Sequence, residues 1–167
     1  MSTFSTRGEM RMRPHVYRWL QERCDHVRIE YFRVDMCGFK FRPRVNRERR
    51  VAIDSIAVEL KQHRVNEAIV QAINNYPCFH QSYVCFPEER YGRMHYKPDA
   101  PCRATGVGLL VVSLAGVVSE LIPPNARQAE AWGCYLTQWN DSWETSIHRS
   151  WLRTRNDVVE FSGAESP

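Results

Sequence analysis

Two hydrophobic rhythms alternate along the chain. Residues 1–13 are polar and without period, a flexible arm, after which Val16, Trp19, Leu20 and Cys24 recur at helical spacing. Pro14 suits a first helical position, so the pattern predicts a short amphipathic helix over 14–25. Over 26–41 the rhythm shortens: Val27, Ile29, Tyr31, Phe32, Val34 and Phe39 predict one long strand or two short ones. RPRVNRERR (42–50) is a polar turn and VAIDSIAVELK (51–61) the next strand, which together predict an antiparallel hairpin. RVNEAIVQAINNY (64–76) places Val65, Ala68, Ile69, Ala72 and Ile73 on one helical face and ends at Pro77. A buried strand over 82–86, a long loop over 88–105 and a hairpin of 107–112 with 117–122 follow. The final apolar stripe, Ala129, Trp132, Leu136, Trp139 and Trp143, predicts a C-terminal helix.

This order, helix, hairpin, helix, strand, hairpin, helix, predicts an α/β domain with a mixed sheet flanked by helices. Its parts are an arm (1–13), a core (14–123), a C-terminal helical extension (124–155) and a flexible tail (156–167). With 167 residues, 43% of them hydrophobic, the chain is long enough for one such core and too short for two comfortable ones. The longest apolar stretch, 107–118, is broken by Gly108, Ser113 and Gly116 and is shorter than the roughly 20 residues a membrane helix needs. No apolar block of signal-peptide length opens the chain, and six singly scattered cysteines show no zinc spacing, so a reduced, cytoplasmic protein is expected.

Charge refines the picture. The net +4 conceals an asymmetry: residues 1–64 hold 15 Lys/Arg against 8 Asp/Glu, and the remainder is net acidic. A basic first half fits a nucleic-acid partner. Arg47 and Arg49 in the 42–50 turn, and Arg90 and Arg93 in the 88–105 segment, are candidate phosphate contacts. The tryptophan stripe reads as core or as a subunit interface, through which a homodimer would form.

Candidate chemistry lies at the end of the 51–61 strand. Side chains two apart on a strand point the same way, so Glu59 and Lys61 project together, backed by Ile56, Val58 and Leu60 on the other face. A carboxylate beside an ammonium suits phosphodiester hydrolysis with a divalent cation, Mg²⁺ or Mn²⁺, and a second carboxylate is needed to hold the metal. Folding the hairpin about residues 45–47 brings Asp35 opposite positions 55–59. Asp54 is nearer in sequence but stands at odd separation from Glu59, and Glu22 and Glu30 are further options.

IAVELK, RVNEAIVQAINNY and SYVCFP together resemble the PD-(D/E)XK nuclease superfamily, particularly its small RecB-like and resolvase-like members. The resemblance spans residues 30–122. It implies a restriction-endonuclease-like fold, with Glu59 and Lys61 as the catalytic E-x-K, Asp35 binding metal beside Glu59, and Gln71 on the following helix supporting the site. GVGLLVVSLAGVVSELIPP resembles the strand pair that finishes such domains. No proline precedes Asp35, and Gln71 to Tyr76 is one residue longer than the family's Q-x-x-x-Y. The expected function is a metal-dependent endonuclease acting on DNA. The alternative is a nuclease-like fold that no longer cleaves and binds nucleic acid or assembles complexes.

Overall fold

A computed structural model describes residues 7–31, 34–41 and 52–126. Six strands form one mixed sheet in sequence order: β1 (His26–Tyr31), β2 (Val34–Phe41), β3 (Ala52–Leu60), β4 (Gln81–Pro87), β5 (Gly108–Val112) and β6 (Val118–Ile122). The pairs β1–β2, β2–β3 and β5–β6 are antiparallel, and β3–β4 and β4–β5 are parallel. The parallel pairs follow from the connections, since helix α2 (Val65–Asn74) carries the chain back between β3 and β4. Two short helices, α3 (Glu88–Arg93) and α4 (Asp99–Thr105), do the same between β4 and β5.

Helices cover both faces. Helix α1 (Arg7–Gln21) lays Met12, Val16, Trp19 and Leu20 on Met36, Ile56, Val58, Leu60 and Leu110. On the opposite face, α2 contributes Val65, Ala68, Ile69 and Ala72 to a core with Val84, Phe86, Leu109 and, from α4, Cys102. A third cluster joins Cys37, Phe39 and Ala57 to Phe79. Burial on both faces is why YVCF in β4 and GLLVV in β5 read as continuous apolar runs rather than alternating ones. Gly108 is needed where it stands, because a Cβ there would lie 2.4 Å from the Tyr83 ring on β4.

The structure departs from the sequence expectations in two places. The leading helix starts at Arg7, inside the expected arm, and Pro14 lies within it rather than at its start. Burial of Met12 and Val16 against the sheet outweighs the backbone donor that Pro14 removes. Strands β1 and β2 are the two short strands that were one of the expected alternatives, and with β3 they make a three-stranded antiparallel meander that contains the expected hairpin. The 88–105 segment, expected as a loop, holds α3 and α4, whose brevity leaves too few residues for a periodic signal. The hairpin at 107–122 forms as expected, its turn closed by the Ser113 N–H donating to the Val117 carbonyl at 2.9 Å, with Gly116 at positive φ. The five described cysteines form no disulfide, and no described helix is long and apolar enough to cross a membrane. The expected C-terminal helix and tail, and the arginine turn with Arg47 and Arg49, lie outside the described residues.

Leu20 is fully buried at the α1–sheet contact. Leu20→Ala is expected to destabilise the domain by about 2–5 kcal/mol through lost burial and the cavity left behind, measured as a lowered denaturation midpoint with the slope unchanged.

Candidate active site

The site begins with the register of β2 against β3. Met36 pairs with Val58 and Cys37 with Ala57, so the same register carried one step further sets Asp35 level with Glu59. Residues opposite one another on paired strands share a face, and here it is the face covered by α2. The two carboxyl groups meet closely enough to share a hydrogen bond. Asp35 also closes the end of the β2–β3 ladder, its Oδ2 accepting the Leu60 N–H at 2.8 Å.

Lys61 leaves the same face just beyond the strand, its own N–H donating to the Cys85 carbonyl at 3.0 Å. A short connection then reaches α2 through Arg64, which takes a left-handed conformation (φ 66) that few non-glycine residues adopt. The turn places the polar stripe of α2 over the pair. Glu67, Gln71 and Asn75 are four residues apart and line one side of the helix. Glu67 lies 3.9 Å from Lys61 Nζ, and Asn75 Nδ2 donates to Glu59 Oε1 at 2.8 Å. Between them, the Gln71 amide oxygen is buried with no donor.

Solvent is almost absent from this place. Glu59 is 2% exposed and the Lys61 side chain 12%, which sets them apart from an ion pair on a solvated strand end. Burial, reinforced by the neighbouring Asp35, pushes the Glu59 carboxyl up to about 8, against the Asn75 hydrogen bond and the Lys61 charge that favour its anion. Burial likewise raises Asp35, although the Leu60 N–H and the charges of Lys61 and Arg13 hold it down. Burial and mutual repulsion thus raise both carboxyls and favour a protonated form of the pair.

Asp54 lies elsewhere. It stands about 16 Å from Glu59 along the strand and on the opposite face, where its carboxylate accepts from Gln81 Nε2 at 3.0 Å and from the Ser55 N–H at 2.9 Å. Glu22, expected to support the site, is exposed beyond the end of α1 and pairs with Arg23 at 3.2 Å. The first turns of α1 are the ones beside the acids, since Glu9 and Arg13 act on Asp35, so Glu22 is about 20 Å away along the helix axis. Glu30 is engaged by Arg13, whose Nη2 donates to it at 2.8 Å. Arg90 and Arg93 are exposed on α3. Tyr76 turns into the core, where its hydroxyl donates to the Gly106 carbonyl. Asn75 was missed by reading the strand first; its signal is the polar 67–71–75 stripe on an otherwise apolar helix.

Among the described residues no three His, Cys, Asp or Glu side chains converge as a metal cluster. The donor chemistry nonetheless fits a hard divalent cation. Two carboxyls that repel when both are ionised, beside an amide oxygen lacking a donor, form an all-oxygen set of the kind Mg²⁺ and Mn²⁺ accept, with water and substrate phosphate completing the shell.

No protein-family model and no curated protein matches the chain. Among solved structures, the SPO1766 protein of unknown function from Silicibacter pomeroyi is similar, at 13% identity and a TM-score of 0.59, covering 93% of this chain and 97% of that one. That likeness concerns the fold alone, so function has to be argued from the side chains.

The acid pair makes a testable demand on stability. Glu59 titrates at about 4.5 when unfolded and about 8 when folded, so between those values the native state binds the extra proton. Metal-free protein is therefore expected to lose stability as pH rises from 5 to 8, by up to about 1.4 kcal/mol per pH unit, in thermal melts recorded with EDTA. Glu59→Gln is expected to flatten that profile, and Mn²⁺ to raise the wild-type melting temperature most at the alkaline end.

Proposed function

We propose that the chain is a divalent-metal-dependent nuclease of the PD-(D/E)XK kind with a restriction-endonuclease-like core, and that its substrate is DNA. The observation that carries this reading is the meeting of Asp35 and Glu59, from adjacent strands, with Lys61 two residues on along the same face. The family pattern asks for an Asp on one strand, E-x-K on the next and a Gln on the helix after it. Here those are β2, β3 and α2, with Asp35, Glu59, Lys61 and Gln71.

Asp35 and Glu59 would hold the cation, and the donor-less Gln71 Oε1 would supply a third oxygen. When bound, the metal lowers the pKa of water and offsets charge on the phosphoryl oxygens. Both carboxyls would have to be anionic to hold a cation, so binding would be coupled to loss of a proton from the pair. The Lys61 ammonium then orients the attacking water or holds a non-bridging phosphoryl oxygen, stabilising the charge that gathers as the P–O bond breaks. Asn75 fixes the Glu59 carboxylate by its hydrogen bond and excludes water behind it. The near absence of bulk water makes each of these charges act more strongly than it would on an open surface.

The convergence of only two carboxylates favours a second reading, a binding module that has lost cleavage, and one set of assays separates the two. Plasmid, short duplex, single-stranded DNA and RNA are incubated with Mg²⁺ or Mn²⁺. Asp35→Ala and Glu59→Ala are expected to abolish cleavage, Lys61→Ala to slow it about 10²- to 10⁴-fold, and Asp54→Asn to leave it unchanged. A wild-type chain that binds these nucleic acids in EDTA but cuts none of them under either metal would overturn the nuclease reading in favour of the binding module.

A further inference from the structure

A cleft of about 490 Å³ opens at the edge of the sheet where β3, β4 and β5 end, beside Lys61. One wall is the face of α1 that carries Arg11 and His15, four residues apart. The facing wall is the start of α3, with Arg90, and the β5–β6 turn closes a third side through Ser113 and Leu114. Met12, Pro87 and Val112 give it an apolar lining. Gln62, the residue after Lys61, lines the cleft on the α1 face, whereas the acid pair faces α2, so the two lie on opposite faces at the same end of β3.

Its charges are uncommitted. Arg11 and Arg90 are both exposed, and neither guanidinium has an ion-pair or hydrogen-bond partner among the described residues. One carboxylate, Glu89, also lines the cleft, and it leaves the balance there positive. Two free guanidiniums across an apolar lining match a phosphodiester whose base rests on Pro87 and the exposed Leu114 side chain. The volume lies within the range of small-ligand sites, room for about one nucleotide, and walls on three sides exclude the breadth of a duplex.

From this geometry we infer that the cleft is a subsite for one nucleotide of a single-stranded nucleic acid, held through its backbone by Arg11 and Arg90. It takes any base, because the lining offers apolar surface rather than a fixed set of donors and acceptors. The inference rests on the nuclease reading for its purpose, since it names the form of the strand that the acid pair would cut. It extends that reading from a reaction to a substrate form: an unpaired or frayed strand end.

Binding in EDTA tests the cleft separately from cleavage. The full chain is titrated against a fluorescent oligothymidylate and a duplex of equal length, by anisotropy, over a series of salt concentrations. The single strand is expected to bind more tightly. Arg11→Ala/Arg90→Ala is expected to weaken it at least about tenfold and to reduce the steepness of its log–log salt dependence by about 1.4, the share of two phosphate contacts on a single strand. Arg18→Ala, an exposed arginine at the far end of the same helix, is expected to bind like wild type, and circular dichroism confirms that the variants fold. Wild-type affinity in the double variant, or equal or stronger binding of duplex, overturns the subsite. If the oligonucleotide binds as expected while no substrate is cut, the nuclease reading fails and the cleft stands; cleavage with unaltered binding in the double variant gives the reverse.

Discussion

The pairing of β2 with β3 is the constraint on which the candidate site depends. Because side chains alternate across a strand, slipping this register by one residue would send Asp35 toward α1 and leave Glu59 facing α2 alone. The register is fixed by what lies on either side of it. Met36 and Val58 are buried beneath α1, and Cys37, Phe39 and Ala57 beneath the opposite layer. Each apolar residue of the meander thus votes for the one alignment that also brings two acids together. The acids themselves would oppose it, since desolvation and mutual repulsion both disfavour their charged forms. Core packing imposes an arrangement that the carboxylates would not choose.

What the protein does with that imposed contact is visible in the hydrogen bonds. Asp35 takes the N–H of Leu60, and Glu59 takes the amide of Asn75. Both partners favour the anionic state, as does Lys61. A site built only for stability would neutralise a buried acid with an arginine fork or replace it by an apolar residue of the same size. Here burial raises both acids while their hydrogen-bond partners favour the anions, and the amide oxygen of Gln71 is left without a donor. Perturbed acids in a group of this sort are more characteristic of functional sites than of structural ones.

The strand-borne half of this arrangement was legible in the sequence because strands obey a simple period. Glu59 and Lys61 on one face, Asp54 on the other, and Asp35 opposite Glu59 all follow from counting, given a hairpin centred near residue 47. The βαβ unit was equally readable, since amphipathic α2 between two apolar strands leaves few other arrangements. Glu22 failed for the opposite reason: its place depends on the direction in which α1 crosses the sheet, which no local period encodes. The start of α1 was missed because Pro14 is a strong local signal and the tertiary burial of Met12 is not a local one. Residues 88–105 were opaque because α3 has no buried residue and α4 only Cys102, which leaves no stripe to detect.

Helix α1 ties the two halves of the edge together. Glu9 and Arg13, one turn apart, look toward Asp35 and Glu30, while Arg11 and His15, offset by two positions, line the cleft. Arg13 is almost wholly buried, and its Nε and Nη1 have no partner, so its charge is weakly compensated and acts on Asp35 from within the protein. Arg11, two residues away, keeps its charge in solvent. A helix thus presents one arginine inward, toward an acid, and another outward, into the cleft. Both stripes belong to one helix, which Val16 and Leu20 anchor on the sheet, so the inward and outward arginines are held in fixed sequence register by the same core contact.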